Sequence, residues 1–117
     1  MTKFVNLTPH AVTLCDSAGS VFATIPPSGQ LARVKPLPRI VGAVEIDGHS
    51  VPVRVNDYGP LEGLPDPAPD TMFIVSLLAA SAAARLGRIA DIIVPDDTVR
   101  DSAGQILGCR AFGRQQV

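Results

Sequence analysis

The chain has 117 residues, a length that fits one domain, so we treat residues 1–117 as a single unit. Its 46% hydrophobic and 18% charged residues supply a buried core and exclude a disordered chain. The net charge of −1 argues against sequence-independent binding of duplex nucleic acid, which requires a concentrated basic surface.

Short β-like runs alternate with turn sequences through the first part of the chain. Phe4–Leu7 and Ala11–Cys15 come first, and Asp16-Ser17-Ala18-Gly19 then separates them from Val21–Ile25. An aspartate followed three residues later by glycine is typical of a type I turn closed by a left-handed residue. The same tetrapeptide recurs at residues 101–104, before Ile106–Phe112. We therefore predict the same hairpin solution at two places in the chain.

A further hairpin is predicted from Ile40–Ile46 and Val51–Val55 around Asp47-Gly48. Pro52 cannot donate a hydrogen bond to a neighbouring strand, so its strand is expected at a sheet edge or with a bulge. Pro60–Asp70 carries four prolines and is expected to form an irregular surface loop.

One helix is predicted, and it is rich in alanine. Met72–Val75 has the pattern of a buried strand, Ser76 can cap a helix over Leu77–Leu86, and Gly87 can end it. A strand at Ile92–Val94 is expected to stop at Pro95. The predicted fold class is α+β: a mostly antiparallel sheet of short hairpins with this short helix packed on it. Sheets of such short strands often complete their cores by association, so we expect a homo-oligomer.

Cysteine usage and hydropathy bear on the compartment. Cys15 and Cys109 follow no metal-ligand spacing and are expected to be reduced core residues. Residues 1–7 lack the apolar run of a signal peptide, and Met72–Ala84 is too short to cross a bilayer. We expect a cytoplasmic protein with no membrane partner, no metal and no cofactor.

The densest group of polar side chains is Pro95–Asp101, which includes Asp97, Thr98 and Arg100. This group of side chains has three possible roles. The aspartates can satisfy the backbone of a loop, the group can contact a ribose or phosphate, or it can hold a metal. The metal interpretation is the weakest, because no further carboxylates or histidines stand nearby.

His10 directly follows Thr8-Pro9 at the start of a predicted strand. It can be structural, contact a ligand, or act as a base together with Asp96 or Asp97. No Ser-His-Asp order or Cys-His pair is recognisable, and we predict that the protein is not an enzyme.

Two arginines lie within predicted strands. Arg110 is flanked by apolar residues and needs an anionic partner, which can be a ligand or an internal carboxylate. Arg33 fits a solvated strand face better than a binding site. Base stacking would require aromatic side chains, and each of the four phenylalanines is better explained as a core residue than as a platform.

Several short motifs resemble small phage and prophage proteins. The resemblance begins at Val5-Asn6-Leu7-Thr8-Pro9-His10 and continues with Ile25-Pro26-Pro27-Ser28-Gly29 and Ala32-Arg33-Val34. Phe73–Ser76, Val94–Asp96 and Gly108–Arg110 extend it to the end of the chain. Among characterised proteins, size, β-rich layout and arginine placement are most similar to the first Thoeris anti-defence family of phage sponge proteins.

The resemblance implies a function of sequestration. Such proteins capture the cyclic ADP-ribose isomer made by bacterial TIR-domain sensors and hold it intact; some also bind cyclic oligonucleotides, and members form oligomers. By position, Arg33 and Arg110 would meet phosphates, Phe73 would lie against the base, and Asp97 would contact the ribose. Thr98, Arg100 and His10 complete the predicted ligand-binding set. The alternatives are a structural or protein-interaction module of phage origin and a small nucleotide or phosphoester hydrolase.

Overall fold

A computed structural model describes residues 1–116 of the protein, which form eight strands and one helix. In chain order the elements are β1 (Lys3–Asn6), β2 (Val12–Cys15), β3 (Val21–Ile25), β4 (Arg33–Ile46), β5 (His49–Glu62), β6 (Thr71–Ile74), α1 (Leu77–Arg85), β7 (Ile92–Arg100) and β8 (Ile106–Gly113). Within this part of the chain, no helix is long and apolar enough to span a membrane.

The predicted α+β class is confirmed, with one feature that sequence analysis missed. Six strands form one sheet in the order β1-β6-β7-β8-β2-β3, and β4 and β5 form a separate two-stranded sheet. The hairpins β2–β3, β4–β5 and β7–β8 are antiparallel as expected, but β1–β6, β6–β7 and β2–β8 pair in parallel. Parallel neighbours need a crossover connection, and α1 supplies it between β6 and β7.

The helix covers one face of the sheet through its alanines. Ala79, Ala80 and Ala83 are buried against Phe73 and Ile92 in the first hydrophobic cluster. Small side chains let the helix axis lie close to the strands, so the alanine content predicted the packing as well as the helix. Gly87, with φ of 82°, takes the left-handed conformation that follows a helix end.

The helix N-terminus gives a first testable prediction. The Ser76 hydroxyl accepts a hydrogen bond from the Ala79 N–H at 3.2 Å, and the first turn has no acidic side chain to assist it. We expect Ser76→Ala to lower the free energy of unfolding by about 1 kcal/mol, since an N-cap hydrogen bond is lost. Urea denaturation measures this. Ser76→Asp should retain most of the stability, and a loss as large as that of Ser76→Ala would show that capping is not the cause.

A second hydrophobic cluster lies on the other face of the sheet. It contains Val12, Ile74, Ile93 and Cys109, with partly buried side chains from β2, β3, β6 and β8 around it. Both cysteines are buried and free, and burial raises the pKa of the Cys109 thiol above its ordinary value. At neutral pH this thiol therefore remains protonated, in keeping with a core residue.

The β4–β5 hairpin is much longer than predicted. Each strand has 14 residues, so the pairing starts at Arg33 and ends at Glu62, where sequence analysis expected an irregular loop from Pro60 onward. The turn itself is as predicted: Asp47 and Gly48 both have positive φ, 51° and 78°, as a two-residue type I′ turn requires. In a two-stranded sheet both strands are edges, which explains why the prolines within them are tolerated. We call residues 33–62 the arm.

The expected end of a strand at Pro95 is wrong. β7 continues through Pro95 to Arg100 and pairs with β8, so Asp97, Thr98 and Arg100 lie in a ladder and not in a loop. Pro95 is exposed near the point where β7 leaves its parallel partner, and β8 continues the pairing on the other side. The two predicted Asp-Ser-Ala-Gly hairpins are both present, and in each the aspartate carboxylate accepts two backbone N–H groups.

The segment Asn6–His10 is organised around one buried amide. Asn6 is 1% exposed; its Nδ2 donates to the carbonyl oxygens of His10 (2.9 Å) and Ile25 (3.1 Å). Its Oδ1 accepts from the Thr8 N–H at 3.0 Å, and the Thr8 hydroxyl lies 2.7 Å from the same oxygen. The Asn-Leu-Thr-Pro-His motif is thereby explained as a fixed turn between β1 and β2 that also ties down the end of β3.

Candidate functional site

Two of the predicted site residues, Asp97 and Arg110, form an ion pair, which we call the fork. Arg110 Nε lies 3.2 Å from Asp97 Oδ2, and its Nη2 donates to Asp97 Oδ1 at 3.3 Å. Asp96 pairs with Ala111 and Thr98 with Cys109, so Asp97 stands directly opposite Arg110 on the neighbouring strand. Sequence analysis left two partners open for Arg110, a ligand and an internal carboxylate, and the structure shows the Asp97 carboxylate in contact with it.

The backbone at Asp97 is adapted to this contact. Asp97 has a φ of 52°, which is uncommon for a residue other than glycine, and its N–H donates to Asp96 Oδ1 at 2.9 Å. The left-handed conformation interrupts the regular ladder at this residue. The side chains of Asp97 and Arg110 remain half-exposed, at 53% and 39%, so the pair is accessible from solvent.

The fork is part of an open cleft of about 540 Å³, which we call the Arg110 cleft. Asp97 of β7, Arg110 of β8, Cys15 at the end of β2 and Phe22 of β3 line it, and these four strands are consecutive in the sheet. The Phe22 ring is 66% exposed. A cation with unused donors, a carboxylate and an exposed aromatic ring thus share one surface.

The side chains of the Arg110 cleft supply hydrogen-bond donors, an acceptor and an apolar ring. Arg110 donates one Nη2 hydrogen to Asp97 Oδ1, and its Nε lies 3.2 Å from Asp97 Oδ2 as an ion-pair contact, so its Nη1 hydrogens and the second Nη2 hydrogen can donate to an anion. Asp97 orients the guanidinium and has lone pairs left to accept from a hydroxyl group. Phe22 offers a flat apolar face, on which a base can stack. The fork is electrically neutral, and the Asp16 carboxylate, which accepts two backbone N–H groups of its own turn, also lines the cleft. The cleft would therefore hold an anion by directed hydrogen bonds and not by net charge.

A second concave region lies elsewhere, around His10, and we call it the His10 cavity. It measures about 320 Å³ and is lined by residues that include Thr8, His10, Ser76, Thr98 and Cys109. His10 and Thr98, both predicted as ligand contacts, are therefore together here and apart from Asp97 and Arg110. Most of the lining is aliphatic side chain and backbone, which suits an apolar group better than a phosphate.

The geometry around His10 does not assemble a catalytic group. In residues 1–116 no hydrogen bond or ion pair joins the His10 imidazole to Asp96 or Asp97. Asp96 instead accepts from the Asp97 backbone, and Asp97 is held by Arg110. The same part of the chain holds no group of three or more side chains placed to bind a metal.

The other three predicted residues lie outside both regions. Phe73 is 3% exposed in the core beneath α1, so its ring is packed against the helix and is not presented to a ligand. Arg100 donates to the Gly104 carbonyl at 2.8 Å and stabilises its own hairpin. Arg33 lies at the base of the arm, in a concavity that also includes Lys35 and Glu62.

Sequence analysis missed Phe22 because it judged each phenylalanine better explained as a core residue, and because the resemblance pointed to Phe73 as the stacking ring. A signal was present in the alternation of β3: Ala23 and Ile25 are the partly buried positions, so Phe22 and Thr24 lie on the opposite face. Whether that face was covered depended on the strand order, which places β3 at the edge of the six-stranded sheet.

No known protein family, curated protein or solved structure matches this chain.

Proposed function

We propose that this protein captures an anionic nucleotide and holds it without cleaving it, as a phage anti-defence protein in the cytoplasm of the host bacterium. The candidate ligands are those that the sequence resemblance implies, a cyclic ADP-ribose isomer and cyclic oligonucleotides. The residues proposed to make the contacts are Arg110 for phosphate, Asp97 for ribose hydroxyl groups, and Phe22, in place of Phe73, for the base.

The observation that supports this proposal is the convergence in the Arg110 cleft. A guanidinium with free donors, a carboxylate acceptor and an exposed ring are the three groups that phosphate, ribose and base each require. Three strands of one sheet carry them, β7, β8 and β3, with β2 between the last two, and strands hold side chains more rigidly than loops do. A prearranged site loses less entropy when it binds, which favours retention of the ligand.

Capture without turnover fits this arrangement better than hydrolysis does. The hydrolase alternative requires His10 to act with Asp96 or Asp97, and His10 lines a different cavity from Asp97. A nucleophile or metal-bound water would also be needed at the phosphate. The Arg110 cleft contributes a hydrogen-bond donor and an acceptor, which bind a ligand but break no bond.

We also propose that the protein acts as a homo-oligomer. The Arg110 cleft is open to solvent, and a single arginine already paired with a carboxylate is a weak site for a dianion. A second subunit placed over the cleft would exclude water and strengthen each hydrogen bond to the ligand.

The test is a retention experiment. The purified protein is incubated with cyclic ADP-ribose isomers and cyclic oligonucleotides, filtered and heat-denatured, and the released compounds are identified by mass spectrometry. Recovery of an unaltered nucleotide only after denaturation would support capture. Recovery of a chemically altered nucleotide would reject the proposal in favour of an enzyme, and no retention of any compound would reject nucleotide capture altogether.

A second candidate function is a protein-interaction module, and the exposed arm is the observation that favours it. In that case the protein would associate with itself or another protein and retain no small molecule. The retention experiment separates the two candidates directly.

Phe22 provides a prediction specific to the proposed ligand. Loss of one stacked base costs about 1–3 kcal/mol, so we expect Phe22→Ala to weaken nucleotide binding by roughly tenfold or more. Phe22→Trp should preserve binding, because the larger ring still offers a stacking face. Tyr58→Ala, at an exposed aromatic residue of the arm, is the matched control and should bind as the parent does. Isothermal titration calorimetry measures all three, and equal affinity of Phe22→Ala and the parent would remove Phe22 from the site.

A further inference from the structure

The arm is an amphipathic ribbon, since its two faces differ in chemistry. Residues directly opposite each other in the ladder share a face, and Val44 pairs with Val51 while Gly42 pairs with Val53. The alternation of side chains therefore puts five β-branched residues on one face. We call them the valine stripe: Val44, Ile46, Val51, Val53 and Val55.

The opposite face of the arm is more polar. It carries Glu45 with Ser50, Arg54 opposite Ile40, and Asn56 opposite Pro38. The stripe also has polar neighbours on its own face: His49 lies opposite Ile46 at the tip, and Arg39 lies opposite Val55 at the end toward the body, with its Nε 2.8 Å from Asp57 Oδ2. An uncharged apolar centre with a polar boundary is the anatomy of a protein interface.

Nothing within residues 1–116 covers this stripe. Every residue from Lys35 to Tyr58 is exposed, and the members of the stripe are 39–58% exposed. An isolated two-stranded ribbon is at best marginally stable in water, because it has no core of its own. The arm nevertheless has cross-strand pairs from Arg33–Glu62 to Ile46–His49, interrupted by irregularities between Val34 and Pro36 and between Ile40 and Gly42. Such a ribbon needs an apolar surface against it.

The accessible surface area of the subunit exceeds that of a typical monomer of this mass, and the excess can be compared with the area that an interface buries. The accessible area is 7919 Å², about 1,800 Å² above the roughly 6,100 Å² expected for a folded monomer of this mass. The radius of gyration is 17.5 Å, against about 13 Å for a compact chain of this length. A standard interface buries about 800 Å² on each partner, and obligate dimers bury more. The excess is therefore sufficient for one substantial interface.

We propose that the valine stripe is the docking surface for a second copy of this chain, with the two arms packed face to face about a two-fold axis. This inference rests on the self-association proposed above and not on the identity of the ligand. In a two-fold interface the same patch meets itself, so the patch must be self-complementary. A stripe of valine and isoleucine with no formal charge meets that requirement.

Charge also favours a second copy over a partner of strongly charged surface. The arm carries four basic and four acidic residues, and is therefore neutral: Arg33, Lys35, Arg39, Arg54, Glu45, Asp47, Asp57 and Glu62. Two such arms approach each other without net repulsion. A nucleic acid or an acidic partner would instead select an excess of basic residues.

The prolines of the arm favour packing through the face and not through the edge. Pro36, Pro38, Pro52 and Pro60 lie within the two strands and supply no N–H group. In a strand, proline is accommodated where its missing donor would face the free edge. The edges are thus poor in donors, so addition of a third strand from another molecule is disfavoured.

The test is the association state of the full-length protein, measured by sedimentation equilibrium without added ligand over a wide range of concentration. The parent should form a dimer or a larger assembly built from dimers. Val44→Thr/Val51→Thr/Val53→Thr keeps the shape and β-propensity of the stripe but adds hydroxyl groups to its centre. We expect it to weaken dimerisation more than about 100-fold, because six methyl groups per dimer are replaced.

The matched control places the same number of threonines on the other face, as Ile40→Thr/Ser50→Thr/Asn56→Thr, and should associate as the parent does. If the stripe variant unfolds, disulfide cross-linking still tests the geometry. Val53 lies in the middle of the stripe, so Val53→Cys should form a dimer that a reductant separates, whereas Asn56→Cys, on the other face, should not.

A parent that is monomeric at every concentration, or a stripe variant that associates like the parent, would overturn the inference. The retention assay is run separately, so a dimer that retains no nucleotide would reject the ligand proposal alone.

Discussion

Arg110→Ala should reduce nucleotide retention at least 100-fold while leaving the fold intact. Hydrogen bonds from a charged donor contribute about 1.5–3 kcal/mol each, and the free N–H groups of Arg110 can supply two of them to one phosphate. The substitution also leaves the Asp97 carboxylate without its partner, facing the same anion. Both effects act in the same direction, so this is the largest binding effect that we expect from one substitution.

The same substitution should have little effect on stability. The ion pair of Arg110 with Asp97 is 39% and 53% exposed, and an exposed pair contributes about 0–1 kcal/mol. Equilibrium dialysis measures the affinity and urea denaturation the free energy of unfolding. Arg85→Ala, at the exposed C-terminal end of α1, removes the same charge at a residue that does not line the Arg110 cleft and is the control.

Arg110→Lys separates the role of the charge from that of the fork. Lysine keeps the positive charge but cannot bind Asp97 and a phosphate through a rigid plane, so we expect intermediate retention. If Arg110→Ala retains nucleotide as the parent does, Arg110 is not part of the site. If Arg110→Lys equals the parent, the fork geometry is unnecessary and charge alone holds the ligand.

Local sequence signals predicted the local structure well. The Ser76 cap, the alanine-rich helix and both Asp-Ser-Ala-Gly hairpins depend on residues within a few positions of one another, and all are present. The extension of the arm through Pro36 and Pro38 was not predicted, because proline normally argues against a strand. The reason lies in tertiary structure: a two-stranded ribbon consists of edges only, where proline is tolerated.

The site was predicted only in part, because it too depends on tertiary structure. Asp97 and Arg110 are 13 residues apart in the sequence, and only the pairing of β7 with β8 makes them neighbours. The prediction for Phe73 as a stacking residue followed from a resemblance, whereas the burial of its ring follows from the crossover through α1. Phe22 could have been placed on an outward face from the alternation of β3, but its position beside Arg110 depends on the order of the strands.

Asn6→Ala should cause a large loss of stability. The substitution leaves the Ile25 carbonyl oxygen and the Thr8 N–H without their partner and removes one of the two donors to the His10 carbonyl oxygen, in a place where Asn6 itself is 1% exposed. An unsatisfied buried polar group costs about 1–3 kcal/mol, and relaxation of the turn will recover part of the total, so we expect a decrease of about 3 kcal/mol in the free energy of unfolding. Urea denaturation measures it, and Asn56→Ala, at an exposed residue of the arm, should change stability by less than about 0.5 kcal/mol.

Asn6→Asp tests whether the hydrogen-bond donors of the amide are the cause. A carboxylate at this position has no N–H to donate and would face two carbonyl oxygens, so burial and repulsion raise its pKa in the folded state above that in the unfolded state. The folded state then binds the proton more tightly, so the stability of this variant should fall as the pH rises above about 4, the ordinary pKa of an aspartate in an unfolded chain, and recover at more acid pH relative to Asn6→Ala. A pH-independent difference between the two variants would show that the Asn6 amide is not the group that holds the Thr8-Pro9-His10 turn.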